Sequence, residues 1–282
     1  MDRRDFLNLT AAALGVAVAP SLAQQLQSPQ PTATPQLRGV QLYTLRSLMA
    51  ADVATTLAAV AEIGYRNVEF AGYFARTPVQ LKRDLDAAGL NAPSAHIPLP
   101  QLRADFPRCL EAAQLLGHEY LVLPWLDTGE RTLENFRQLA DELNGWGEQA
   151  RAAGIRMAYH NHDFEFAAQR SGPVPFELLL QRTEPELVDF EMDLYWVKKA
   201  GRDPLDYFRR YPQRFPLWHL KDMDRSGAFA DLGSGTIDFE KIFAAAAGAG
   251  LRYGFVEHDH SPRPLRTLRN GYRAVQTLLH QV

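Results

Sequence analysis

The feature that most narrows what this chain can fold into is an alternation repeated eight times. From Arg38 onward, a short apolar or β-branched run is followed each time by a longer segment of helical period. The runs are residues 39–43, 67–70, 92–97, 120–124, 155–160, 187–193, 216–220 and 253–258. Short strands separated by helices call for a parallel sheet with crossover helices. Eight such units fit a closed (β/α)8 barrel. A doubly wound open sheet is the alternative, but VQLYTLRS, after the first run, lacks the phosphate-binding glycines that fold usually carries. Three helix ends, AAGL (87–90), AAGI (152–155) and GAGL (248–251), set a glycine between an alanine-rich helix and the next strand, the expected stop signal. With 282 residues, 46% of them apolar, the chain can bury one large α/β core.

Upstream of the barrel, MDRRDFLNLTAAALGVAVAPSLAQ joins Arg3 and Arg4 to an apolar stretch and then to the small-residue pattern Ser21-Leu22-Ala23. It resembles a twin-arginine export signal, although Asp2 and Asn8 depart from the usual pattern and leave Sec export open. The apolar stretch is shorter than the roughly 20 residues of a spanning helix. Cleavage and export to the periplasm or another extracytoplasmic space are therefore expected, with no stable membrane anchor. The expected division is a signal peptide at 1–23, a disordered Gln/Pro-rich linker at 24–37 and the barrel at 38–282. Cys109 is the only cysteine, so no intramolecular disulfide forms. Thirty basic residues against thirty-three acidic ones give a net charge of −3 with no basic cluster, which argues against nucleic acid as a partner. No outer helix carries a long apolar stripe that demands a partner, and a homo-oligomer stays open.

In a barrel of this kind the reacting groups sit at the C-terminal strand ends. The last four strands end near Glu165, Asp193, His219 and Glu257, in HNHDFEF, FEMDLYW, LWHLKD and FVEHD. A lone carboxylate there is usually a helix N-cap or a salt-bridge partner. Three carboxylates and a histidine at four consecutive strand ends, each after an apolar run and with no Lys or Arg inside YHNHDFEF, FEMD or FVEHDH, need a metal or a distant partner. Three carboxylates and an imidazole suit Mn²⁺, Mg²⁺, Co²⁺ or Zn²⁺. His96, Asn161, His162, Lys221, Glu69 and Trp125 are read as substrate contacts. Each has a structural alternative: a core histidine for His96, support of Glu165 for Asn161 and His162, a strut for Glu69, pairing with Asp222 or Asp224 for Lys221, and loop packing for Trp125. His160 is read as structural. LGSGTIDF is read as a turn into a helix capped by Thr236 or Asp238 rather than as a phosphate loop.

The eightfold pattern together with YHNHDFEF, MDLYW, HLKDM, LGSGTIDF and FVEHD resembles the xylose-isomerase-like barrel superfamily, in the branch of sugar phosphate isomerases and epimerases, over residues 38–282. The resemblance implies that Glu165, Asp193, His219 and Glu257 hold one divalent metal ion. It further implies a small carbohydrate substrate, with Glu165 and Glu257 flanking it as proton-transfer groups. The expectation is an exported metal-dependent isomerase or epimerase working through a metal-stabilised enediolate. The alternatives are a dehydratase or lyase on keto-sugars or oxidised glycosides at the same site, and an exported sugar-binding protein without catalysis. A metal phosphodiesterase of the same barrel is disfavoured by the charge.

Overall fold

The computed structural model describes residues 34–167 and 172–279. Eight parallel strands close into a barrel: β1 (Gln36–Gln41), β2 (Asn67–Ala71), β3 (Asn91–His96), β4 (Tyr120–Leu123), β5 (Arg156–His160), β6 (Val188–Asp193), β7 (Leu217–Leu220) and, after a short antiparallel pair of β8 (Asp222–Met223) and β9 (Phe229–Ala230), β10 (Tyr253–Val256). Each strand pairs with its sequence neighbours, and β1 closes the ring against β10, with Gly39 opposite Phe255 and Val40 opposite Val256. All eight strands lie within three residues of the runs read from the sequence. Closure is the reason none is left as an edge.

The first strand starts earlier than expected. Gln36 N–H donates to Arg252 O at 2.7 Å and Leu37 is buried, so residues 36 and 37, read as linker, belong to the barrel. The end of that run also differs, because residues 42–45 leave the sheet in a 3-10 turn. The export signal at 1–23 and the linker through residue 33 lie outside the described residues. No described helix is long and apolar enough to cross a membrane.

Helices form where the sequence marks them. Thr77 caps Pro78–Ala88 through a reciprocal bond with Gln80, and Gly89 ends it at φ 65°. Gly154 and Gly250 take the same left-handed conformation after their helices, as AAGI and GAGL imply. The outward side chains of the strands pack against these helices: Trp218 stacks on Phe208 at 4.9 Å and Phe190 meets Phe176 edge-on. Inside the barrel, Tyr120, Val122, Ala158, Leu217, Tyr253 and Phe255 form a separate apolar plug at the N-terminal end. Above that plug the interior turns polar.

Candidate active site

Residues two apart on a strand share a face, so the barrel interior is built in layers. On β6 the inward series is Asp189, Glu191, Asp193; on β7 and beyond it is Leu217, His219, Lys221; on β10 it is Phe255, Glu257, Asp259. The upper layer therefore gathers Asp193, Lys221, Glu257 and Asp259 at the mouth. Lys221 Nζ lies 2.8 Å from Asp193 Oδ2, from Glu257 Oε2 and from Asp259 Oδ1. His219 Nδ1 is 2.8 Å from Glu257 Oε2 and 3.7 Å from Asp193 Oδ2. Asp193 divides its work, since Oδ1 accepts from Trp196 N and caps the helix Leu194–Lys199.

The lower layer is an imidazole and carboxylate net. Glu69 Oε1 accepts from Gln41 Nε2 at 2.6 Å and faces His219 Nε2 at 2.7 Å; Ser94 donates to its other oxygen. His96 Nε2 lies 2.7 Å from Glu191 Oε2, and His160 Nδ1 lies 3.4 Å from it. His219 belongs to both layers, one ring nitrogen facing each.

These residues fit a metal ion. Asp193, His219 and Glu257 each offer a ligand atom within 4.8 Å of the others, and so do His96, His160, Glu191 and His219. Asp193 Oδ2, Glu257 Oε2, Asp259 Oδ1 and His219 Nδ1 are buried without an aligned hydrogen bond, despite their short separations from charged neighbours. The three carboxylate oxygens converge on the Lys221 ammonium, 2.8 Å from each, and a metal ion held by Asp193, His219 and Glu257 would take over that role of counter-cation.

The electrostatics follow from burial and pairing. Burial alone would raise the Glu257 carboxyl, but the charges of Lys221 and His219 outweigh it and hold the group well below the usual carboxylate range. Asp259 goes the other way: burial pushes it up to about 6, against the pull of Lys221. Burial would lower Lys221, yet Asp193, Glu257 and Asp259 hold it well above its ordinary value. His162 is pushed down to about 3 by burial and by the nearby Lys221, so its ring is neutral.

A cavity of about 580 Å³ opens above this group, within the range of small-molecule sites. Its floor is His96, His160, Lys221, Glu257 and Asp259, and one wall is aromatic. Trp125 meets the His162 ring edge-on at 4.6 Å, His162 stacks with Phe164, and the Arg131 guanidinium covers Phe164 at 3.6 Å. Trp125 is 45% exposed, which offers a ring face to an apolar patch of a ligand.

Of the expected metal ligands, the structure brings together Asp193, His219 and Glu257 and leaves out Glu165. The strand ends at His160, and Glu165 sits five residues on, in a 3-10 turn (Phe164–Phe166) that points it back into the protein. There it accepts from Tyr159 Oη at 2.7 Å and from His162 N–H at 2.9 Å. His160, read as structural, faces the site instead: its Nε2 is 3.9 Å from Asp193 Oδ2. Of the expected substrate contacts, His96, His162, Lys221 and Trp125 line the cavity. Glu69 is a fully buried strut beneath it. Asn161 is buried too: its Oδ1 accepts from Asp193 N–H at 3.2 Å, which clips β5 to β6. Glu191 and Asp259 were missed. Each stands two residues from a chosen ligand, and that spacing was the available signal.

Burial raises the Glu165 carboxyl to about 8 against the hydrogen bonds of Tyr159 and His162, so it is largely neutral at pH 7. A group protonated in the folded chain and ionised in the unfolded one contributes stability that is complete below the unfolded value near 4.5 and is lost as pH rises through about 8. The loss is about 1.4 kcal/mol per pH unit within that window. Glu165→Gln keeps the shape and removes the ionisation. Urea unfolding is expected to show the variant gaining on wild type between about pH 5 and about pH 8; an unchanged difference would sink this assignment.

The glycine-rich loop does bind an anion, but the anion is the protein's own. Gly233, Gly235 and Ile237 N–H groups all donate to the Asp222 carboxylate, and Asp238 caps the helix that follows. This turns Asp222 away from Lys221 and explains why HLKD and GSGTIDF occur together. A Cβ on Gly235 would fall 2.5 Å from Met223 O and against the Asp222 carboxylate. Gly235→Ala is expected to cost about 1–3 kcal/mol, read as a lowered denaturation midpoint.

Comparison with known proteins agrees with this architecture. The profile of the xylose isomerase-like TIM barrel family matches residues 57–270. An inosose dehydratase of Bacillus cereus (strain AH820) is 29% identical over 150 residues, 46% of this chain and 49% of its own length, so the chain spans about half of that relative. An inosose dehydratase of Lacticaseibacillus casei is 24% identical over 239 residues, 71% of this chain and 79% of the relative. Among solved structures, a sugar phosphate isomerase/epimerase from Parabacteroides distasonis ATCC 8503 superposes with a TM-score of 0.74 at 26% identity, covering 84% of this chain and 96% of the other.

Proposed function

Because this chain belongs to the xylose isomerase-like TIM barrel family, we propose that it removes the proton beside a carbonyl of a small carbohydrate and expels the hydroxyl on the next carbon. The observation that carries the elimination is the one-sided set of acid and base groups. Glu257, Lys221 and Asp259 line the cavity together, whereas Glu165, which a two-carboxylate exchange would need on the opposite face, does not reach it.

In this reading the ionised Glu257 carboxylate takes the carbon-bound proton. Its Oε2 faces Lys221 and His219, which leaves the other oxygen to meet the substrate. The electron pair moves toward the carbonyl oxygen, where the Lys221 ammonium stabilises the developing charge. Asp259, raised to about 6, carries a proton over the lower part of the neutral range and gives it to the departing hydroxyl, so that water leaves and an enone remains. A divalent ion held by Asp193, His219 and Glu257 would add Lewis-acid stabilisation of that oxygen. Trp125 and His162 grip the ring of the sugar. The twin-arginine pattern makes export part of this proposal and favours free or oxidised sugars over sugar phosphates.

The inosose dehydratase relatives support elimination, and the likeness to an isomerase/epimerase supports the same first step with a different end. Epimerisation needs a proton returned on the other face, and His162, neutral down to about pH 3, is a poor donor for it. The discriminating experiment incubates the purified protein with inososes and 3-keto-glycosides in D2O and follows them by NMR. An enone with loss of water is the expected product. Deuterium at the carbon beside the carbonyl of an intact skeleton would convert the reading to epimerase, and tight binding with neither change would leave a sugar-binding protein.

A further inference from the structure

Beneath the groups assigned to the proposed reaction, the lower layer carries a second cluster, which shares His219 with the upper one. His96 at the end of β3, His160 at the end of β5, Glu191 in β6 and His219 in β7 are all buried, and their ligand atoms lie within 4.8 Å of one another. We propose that these four residues form a metal site of their own, one layer deeper than Asp193 and Glu257, for a transition ion of the zinc class.

Three imidazoles and one carboxylate are the donors of Zn²⁺, Co²⁺ or Cu²⁺ rather than of Mg²⁺ or Ca²⁺. The spacing agrees with that chemistry. Four ligands at about 2.0–2.1 Å from a tetrahedral ion stand about 3.4 Å apart. Glu191 Oε2 is 3.4 Å from His160 Nδ1 and 3.3 Å from His219 Nε2. The third separation, 2.7 Å to His96 Nε2, is a hydrogen bond that must open by less than one ångström.

Two polar atoms of this group, His160 Nδ1 and Glu191 Oε1, are buried without a hydrogen-bond partner. Leaving such atoms unpaired in the interior is unfavourable, and an ion would satisfy them. The rings are already set: His96 stacks on His219 at 5.4 Å and His160 lies 4.4 Å from His219. Glu69, held by Gln41 and Ser94, lies 3.3 Å from His96 Nε2 and 2.7 Å from His219 Nε2, the same nitrogens that would bind the ion, and so adds a further carboxylate oxygen at the edge of the site. His219 gives Nε2 to this site and keeps Nδ1 toward the upper group.

The test is equilibrium dialysis of the full chain against zinc chloride, beside His96→Ala, Glu191→Gln and Glu257→Gln, with circular dichroism to check each fold. Zinc affinity is expected to fall at least about tenfold in His96→Ala and in Glu191→Gln and to stay within a few-fold in Glu257→Gln. Anomalous diffraction at the zinc edge locates the ion in wild-type crystals without any variant, and decides the matter should His96→Ala fail to fold. A peak among His96, His160, Glu191 and His219 supports the site. A peak only beside Asp193 and Glu257, affinity lost in Glu257→Gln alone, or no bound zinc overturns it.

Discussion

Glu257→Gln is expected to lower the rate of proton removal by about 10²–10⁴-fold while leaving substrate affinity within a few-fold. The amide keeps the volume and the contacts of the carboxylate but has no basic oxygen, so the loss appears in kcat. Solvent-deuterium exchange into a bound keto-sugar reads this step directly, whatever the later fate of the intermediate. Glu165→Gln is the matched control: the same chemical change in a buried carboxyl that touches Tyr159 and His162 rather than the cavity is expected to leave exchange near the wild-type rate. Wild-type exchange by Glu257→Gln would remove that residue from the role of base. Equal loss in both variants would return Glu165 to the chemistry despite its position.

The contrast between these two glutamates shows where the sequence could be read and where it could not. Strand runs were legible because burial on both faces of a parallel strand demands an uninterrupted apolar or β-branched stretch, and each run ends where the chain meets the mouth. Asp193 and His219 are the last and the next-to-last residues of their strands, and Glu257 directly follows its own. HNHDFEF was harder, because it offers five polar groups in six positions. Which of them faces inward depends on where the strand stops, and it stops at His160. The following 3-10 turn then reverses Glu165 onto Tyr159, a local backbone choice with no periodic signature.

Depth was the other loss. Reading only strand ends finds one layer, but a barrel interior is filled in layers two residues apart. Glu191 in FEMD belongs to the layer below Asp193, and Glu69 in NVEF lies at that same depth beside His219. Glu69 therefore reads as a mouth residue in sequence and as a strut in space. Lys221 was ambiguous for a different reason. Its pairing partner in sequence, Asp222, is captured by the backbone of the glycine loop thirteen and fifteen residues away, which frees the ammonium to turn inward. Such a choice is made by the tertiary fold and leaves no trace in local composition.

That inward turn makes Lys221→Met the variant with the largest expected effect on stability. Methionine fills a similar volume but leaves Asp193, Glu257 and Asp259 buried together without the cation that lies 2.8 Å from each. Breaking a buried ion group by removing one sign costs about 3–5 kcal/mol, because the remaining charges cannot return to water. For a domain of this size that is a fall in Tm of roughly 10 °C. The sign of the pH dependence follows from the same cause. Without the ammonium, these carboxyls are raised above their unfolded values, so the variant is most stable at low pH, where they are protonated, and weakens as pH rises. Thermal melts from about pH 5 to about pH 8 should therefore show the deficit growing with pH. Addition of a divalent ion should shrink it where the carboxylates bind that ion in place of the ammonium. A variant that melts with wild type at every pH would mean that Lys221 is not the counter-ion of this group, and the stabilisation of a developing oxyanion assigned to it would fail on the same result.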